Sequence, residues 1–222
     1  MTASIPVITL DGPSGVCKGT IGKMLASRLN WHFLDSGVLY RVLAWEAAAQ
    51  GISLENEEAL ADLATQICPT FRIITGSLEL EVAWRQQDLT HLIRQEALGE
   101  QASKLAVYPK VRDQLLDRQR AFRQPPGLVA DGRDMGSIVF PDATCKFFLT
   151  ASLEARAKRR YSQLKQQENH ASLDKFKAAI LQRDERDQTR SVAALKATPE
   201  AVILDTTTLS IEQAFSMVWN NL

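Results

Sequence analysis

The residues best suited to chemistry stand in Gly12-Pro-Ser-Gly15-Val-Cys-Lys18-Gly-Thr20, directly after an apolar run at 6–10 and Asp11. Set against G-x-x-x-x-G-K-[ST], Gly12 and Lys18 keep the spacing of a phosphate-binding loop. In such a loop glycines let successive N–H groups turn inward around phosphate oxygens at a helix N-terminus. Gly12, Pro13, Ser14, Gly15, Val16, Cys17, Lys18, Gly19 and Thr20 are therefore the expected cradle for the phosphates of a nucleotide. Lys18 is expected to reach the β- and γ-phosphates, and the hydroxyl of Ser14 or Thr20 to meet phosphate or Mg²⁺. Two departures stand out. Gly19 follows Lys18 and moves the hydroxyl one place on to Thr20, and Cys17 occupies a place the pattern gives to Gly. A Cβ there crowds the phosphate or forces an unfavourable backbone angle at about 1–3 kcal/mol, unless Cys17 takes ordinary helical dihedrals. Beside Lys18 at a helix start, its thiol is also a candidate for raised reactivity.

A phosphate loop alone fits an ATPase, a GTPase or a kinase. A second group of residues narrows the choice. Asp35-Ser36-Gly37 is followed by Tyr40 and Arg41, Asp131-Gly132-Arg133-Asp134 ends another apolar run, and Arg183, Asp187 and Arg190 recur at helical spacing. Arginines at strand ends and helix starts on the loop's own edge suit a second anionic group, a phosphate acceptor. The bias of the basic residues fits, with 16 Arg against 10 Lys, because a guanidinium grips phosphate with two donors at once.

These side chains must be positioned by elements, and the elements are legible. Continuous apolar runs at 6–10, 31–34, 127–130, 145–149 and 201–204 suit strands buried on both faces of a parallel sheet. Four of them run into Asp11, Asp35, Asp131 and Asp205, and the fifth into Thr150. Ligands of open α/β sheets lie beyond such carboxyl ends. Helical stretches at 18–29, 38–50, 110–122, 152–166 and 210–220 alternate with the strands, and Ser210 with Gln213 has the form of a capping box. The stretch 54–107 breaks the rhythm: alternating strands at 70–75 and 78–83 predict an antiparallel hairpin, and a helix is expected at 89–105.

With 222 residues, 45% hydrophobic and 23% charged, the chain is expected to fold as one domain carrying an insertion, and is neither disordered nor fibrous. Twenty-six basic and 26 acidic residues give no net charge, which argues against a polyanion or membrane-surface binder. The basic residues are expected to concentrate in one cleft, with the balancing acids largely elsewhere, apart from Asp131, Asp134 and Asp187. Cys17, Cys68 and Cys145 form no ligand spacing and suit a reducing compartment. His32, His91 and His170 are scattered and read as structural. No secretory leader or membrane-length apolar run is seen, so a soluble cytoplasmic protein is expected.

Taken in order, GPSGVCKGT, LDSGVLYR, ASKLAVYPKVR, DGRDMGSIVFPDA and RDERDQTR resemble the bacterial cytidylate kinases over essentially the whole chain. The resemblance implies a P-loop kinase fold: a three-layer α/β/α arrangement on a five-stranded parallel sheet, with an antiparallel insertion in the monophosphate-binding region and a short lid. The core is then expected at residues 1–37, 108–152 and 191–222, the monophosphate-binding region with a helix-hairpin-helix insertion at 38–107, and the lid with substrate-contacting helices at 153–190. The implied reaction transfers the ATP γ-phosphoryl group to CMP or dCMP with Mg²⁺. Carried over by motif, Arg41, Arg133 and Arg190 hold the acceptor phosphate. Ser36, Ser103, Arg112 and Asp134 surround the cytosine, and Arg183 and Asp187 lie near the pentose. Lys18, Arg133, Arg156, Arg160 and Arg190 are the expected catalytic set, with Arg156, Arg159 and Arg160 on the lid helix, while Thr20 and Asp131 are candidates for Mg²⁺. Neither a nucleic-acid nor a membrane partner is expected, and the chain is expected to be a monomer. Two alternatives stay open: a kinase for another monophosphate such as UMP, and a nucleotide-binding regulatory module whose loop Cys17 has impaired.

Overall fold

The computed structural model describes residues 5–74, 76–164, 173–190 and 192–222. The core alternates strand and helix as the apolar runs require: β1 Val7–Asp11, α1 Lys18–Leu29, β2 His32–Asp35 and α2 Ser36–Ala49, later α5 Pro109–Arg120, β6 Leu128–Asp131, β7 Cys145–Thr150, α6 Leu153–Leu164, α7 Leu173–Thr189, β8 Val202–Asp205 and α8 Ile211–Trp219. The five core strands pair in parallel in the order β2-β6-β1-β7-β8. Every residue of β1 and β6 is buried, the burial that sequences without alternation require, with layers on both faces. The strands end on Asp11, Asp35, Asp131, Thr150 and Asp205 as expected. Asp205 is a turn residue, accepting from the Thr207 N–H at 2.8 Å. The capping box forms: Ser210 Oγ accepts from Gln213 N at 3.2 Å, and the Gln213 side chain accepts from Ser210 N at 2.9 Å.

The insertion between α2 and α5 contains α3 Glu57–Ala64, then a sheet of β3 Thr70–Ile73, β4 Leu80–Trp84 and β5 Gln87–Asp88, then α4 Glu96–Leu105. The hairpin is antiparallel with Phe71 opposite Val82. It gains a third strand, because Arg85 and Gln86 both take positive φ, 47° and 65°, and turn the chain back at once. The expected helix at 89–105 is therefore corrected: a short 3₁₀ turn at Leu92–Arg94 precedes an α-helix that starts only at Glu96. The expected helix at 152–166 is described as far as Leu164. His170 and the rest of the expected lid at 165–172 lie outside the described residues.

Buried Glu46 of α2 ties the insertion down. It accepts from Trp84 Nε1 at 2.9 Å, Arg85 Nη1 at 2.6 Å and Gln50 Nε2 at 2.7 Å. A buried carboxylate is tolerable because it is hydrogen-bonded on both oxygens and paired with Arg85.

Candidate active site

The carboxyl ends of β1, β2 and β6 open into a cavity of about 410 Å³ lined by the phosphate loop, the start of α2, α4, the Asp131–Asp134 turn and α7. On the loop, Gly12 has φ 141° and an added Cβ would lie 2.1 Å from the Leu149 carbonyl oxygen, so only glycine fits. Gly15 has φ 81°, and a Cβ added there would lie 2.9 Å from Arg156 Cβ. Lys18 is buried, donates to the Pro13 carbonyl at 2.8 Å and stands 3.8 Å from Asp131. Burial draws the Lys18 ammonium down to about 8 and pushes the Asp131 carboxyl up to about 7, each against the pull of the other. Cys17 has φ 69° and ψ 12°. Ordinary helical dihedrals are excluded for it, so the left-handed alternative is the one realised.

Ser14, Gly15, Cys17, Lys18, Gly19 and Thr20 line the cavity. Gly12, Pro13 and Val16 do not, and Val16 packs into the core. The Asp131–Asp134 turn is fixed from below by Asp11, whose carboxylate accepts from Met135 N at 2.9 Å and Gly136 N at 2.8 Å at the start of a π-helical turn, Met135–Val139. Burial pushes the Asp11 carboxyl up to about 6, against the lowering effect of these two N–H groups.

All nine residues expected around the acceptor, Ser36, Arg41, Ser103, Arg112, Arg133, Asp134, Arg183, Asp187 and Arg190, line this cavity. Arg112 and Asp134 form a buried ion pair, with Tyr40 Oη 3.5 Å from Arg112 Nη1. Ser103 Oγ is buried without a partner. Asp187 accepts from Arg133 Nε at 2.7 Å and Arg190 Nη2 at 2.9 Å. Burial works against its ionisation, yet the charges of Arg133, Arg190 and Arg183 hold its carboxyl below the usual carboxylate range. Arg183 carries a buried Nε without a partner, and burial, then the neighbouring Arg133 charge, lower it to about 10. An unpaired polar atom of this kind in a cavity calls for a ligand oxygen.

Two expectations change here. Arg156 was expected at the transferring group, but it lies outside the cavity lining. It pairs with Asp184 at 2.6 Å and reaches the carbonyls of Ala151 and Ser14 at 3.1 and 3.4 Å, bracing the phosphate loop from behind. Arg159 likewise donates to Thr206 Oγ1 at 3.1 Å and to the Gly15 carbonyl at 3.3 Å, whereas Arg160 does line the cavity. The acids of the cleft, moreover, are more numerous than the three expected there. Asp35, Glu96, Glu100, Asp131, Asp134 and Asp187 stand among eight lysines and arginines of the lining. Buried guanidinium groups need counter-charges while no ligand supplies them. Glu96 and Glu100 were missed as site residues; their i, i+4, i+7 spacing with Ser103 was the available signal.

Among the described residues no cluster of three or more His, Cys, Asp and Glu side chains is placed to hold a metal ion. Asp131 and Thr20 line the cavity beside Lys18. Such a sparse oxygen set suits a cation held mainly by phosphates and water, as Mg²⁺ is, and not an all-protein cage.

The profile of the family described as cytidylate kinase matches residues 8–222. The chain is 50% identical over 218 residues to the cytidylate kinase of Stutzerimonas stutzeri (strain A1501), covering 98% of this chain and 95% of that protein. It is 51% identical over 218 residues to the cytidylate kinase of Pseudomonas syringae pv. syringae (strain B728a), with the same two coverages. Among solved structures, an uncharacterized protein from Eubacterium ventriosum ATCC 27560 aligns over 98% of this chain and 97% of its own, with TM-score 0.50 and 12% identity, a likeness of fold alone. Half of all residues shared over nearly the full length is common descent, and the chain belongs to the cytidylate kinase family.

Proposed function

We propose that the protein transfers the γ-phosphoryl group of ATP to CMP or dCMP, giving CDP or dCDP and ADP. The observation that carries this reading is the buried Arg112–Asp134 pair and the unpartnered Ser103 hydroxyl, which line the same cavity as Lys18. Cytosine offers an exocyclic amine to the Asp134 carboxylate, and its N3 and O2 accept from Arg112 and a serine hydroxyl. Uracil turns an oxygen toward the carboxylate instead, and a buried pair of acceptors facing one another costs about 1–3 kcal/mol. Ser36, Ser103, Arg112 and Asp134 are thus assigned to the base, Arg183 and Asp187 to the pentose, and Arg41, Arg133 and Arg190 to the acceptor phosphate.

The loop from Gly12 to Thr20 holds the ATP phosphates through backbone N–H groups and Lys18. No covalent intermediate and no strong base are required, since positioning and charge neutralisation supply most of the catalysis of phosphoryl transfer. Arg133 is oriented by its bond from Nε to Asp187, and Arg190 by its own bond to the other oxygen. Two cations thus hang from one carboxylate and present a fixed pair of donors to the acceptor. Thr20, and Asp131 through water, are the residues assigned to Mg²⁺, which when bound to ATP spreads the charge of the β- and γ-phosphates.

The test is a coupled assay of ADP formation from ATP-Mg with CMP, dCMP, UMP and AMP. CMP or dCMP is expected to exceed UMP at least about tenfold in kcat/KM, and Asp134→Asn to reduce that ratio. Arg190→Ala is expected to lower turnover at least about a hundredfold with an unchanged unfolding transition. CMP binding without any diphosphate product would instead favour the regulatory reading, whose one supporting observation is the left-handed backbone of Cys17.

A further inference from the structure

One ion pair across the cavity is not used by the chemistry proposed above. Glu96 Oε2 accepts from Arg160 Nε at 2.9 Å and also from Nη2. A residue of α4 therefore holds a guanidinium of α6 by the two-donor edge that a phosphate would take. Glu96 is the first residue of α4, and Gln95 is its N-cap. The Gln95 carbonyl accepts from Arg41 Nη1 at 3.2 Å, and the Ile93 carbonyl from the same nitrogen at 2.6 Å. Arg41 also lies against the backbone of this helix, where a Cβ on Gly99 would fall 2.7 Å from Nη2. The acceptor-side cation, the helix start, its carboxylate and the donor-side cation thus form one connected chain, Arg41–Gln95–Glu96–Arg160.

We propose that Glu96 is a positioning residue that withholds Arg160 from the ATP phosphates until an acceptor phosphate is bound, and so suppresses ATP hydrolysis. The inference rests on the kinase reading above. A phosphate meets a guanidinium as a full charge pair and can take two of its donors at once, which a neutral carbonyl cannot. An acceptor phosphate therefore draws Arg41 from Ile93 and Gln95 and releases the start of α4, and Glu96 with it. Arg160 then exchanges a carboxylate for phosphate. Without acceptor, water is the competing nucleophile. Its oxygen bonds to the γ-phosphorus, the bond from that phosphorus to the bridging oxygen breaks with its electron pair going to ADP, and phosphate and a proton are released. An Arg160 held by Glu96 cannot neutralise charge in that side reaction.

The experiment measures ADP formation from ATP-Mg with and without CMP in the parent, E96Q, E96D, E154Q, R160A and the double variant E96Q/R160A. CMP-dependent ADP formation by the parent tests the kinase reading itself; the rest tests Glu96. The ratio of acceptor-independent to CMP-dependent rate is expected to rise at least about fivefold in E96Q and by a smaller factor in E96D, whose shorter carboxylate keeps the charge. That rise should vanish in the R160A background. The control, E154Q, removes a pair of the same α6 helix outside the cavity, Glu154 with Lys177 at 2.6 Å, without touching Arg160, and should give no rise. An unchanged ratio in E96Q and E96D, a rise that persists without Arg160, or an equal rise in E154Q would each overturn the inference in an active parent.

Discussion

Cys17 carries the phosphate loop through φ 69° and ψ 12°, a left-handed conformation that costs a residue with a Cβ about 1–2 kcal/mol. Cys17→Gly is therefore expected to raise stability by about 1 kcal/mol in denaturant unfolding, and Cys17→Val, with its branched Cβ, to lower it. Asp11 bears on stability through pH. Its carboxyl sits at about 6 in the fold against 3.8 as the ordinary value, so the native state binds a proton more tightly than the unfolded chain. That contribution is fully present below pH 3.8 and is lost as pH rises through about 6. Relative to a group that cannot ionise, the parent loses up to about 3 kcal/mol over this window. Unfolding of Asp11→Asn and parent from pH 4 to 7 should show the variant gaining on the parent and then levelling off.

At the scale of elements, α4 joins two roles that a single substitution can separate. Gly99→Ala places a methyl against the Arg41 guanidinium, the movable end of a long side chain. The helix itself should gain about 0.5–1 kcal/mol, while the CMP KM rises about tenfold as Arg41 is displaced. A melting curve and a CMP titration check the two halves. Glu46→Ala leaves the Trp84 indole without its acceptor and Arg85 without its partner. A loss of about 2–4 kcal/mol is expected in denaturant unfolding, with hydrogen exchange accelerated first in β4. Elements of this kind were unevenly legible. The core strands and the α8 cap read directly because apolar runs and capping boxes are local signals. β5 was not read, since Arg85-Gln86 has none of the Asn-Gly chemistry that marks a tight turn; the Glu46 network holds Arg85 in place of an intrinsic preference.

For the whole molecule, the acceptor residues were legible as motifs and all line one cavity. Their partners were not, because Arg160 and Glu96 are 64 residues apart and Arg133 and Asp187 are 54 apart. Separations of that size leave no periodic trace, and they hide that Asp35 and Asp131, at the ends of β2 and β6, share one cavity with carboxylates of α4 and α7. The cavity lining sets eight basic against six acidic side chains, so most of its positive charge is balanced from within, and this bears on how the protein meets salt. A nucleotide entering a bare cationic cleft displaces mobile ions from solution, and its affinity falls steeply as salt rises. Here the counter-charges are carboxylates such as Glu96, Asp134 and Asp187, tethered to the chain and not released to solution. The CMP dissociation constant should change by less than about threefold over a tenfold range of KCl. Calorimetric titration at several KCl concentrations reads this directly, and a steep dependence would mean that the cavity takes its counter-charge from the buffer.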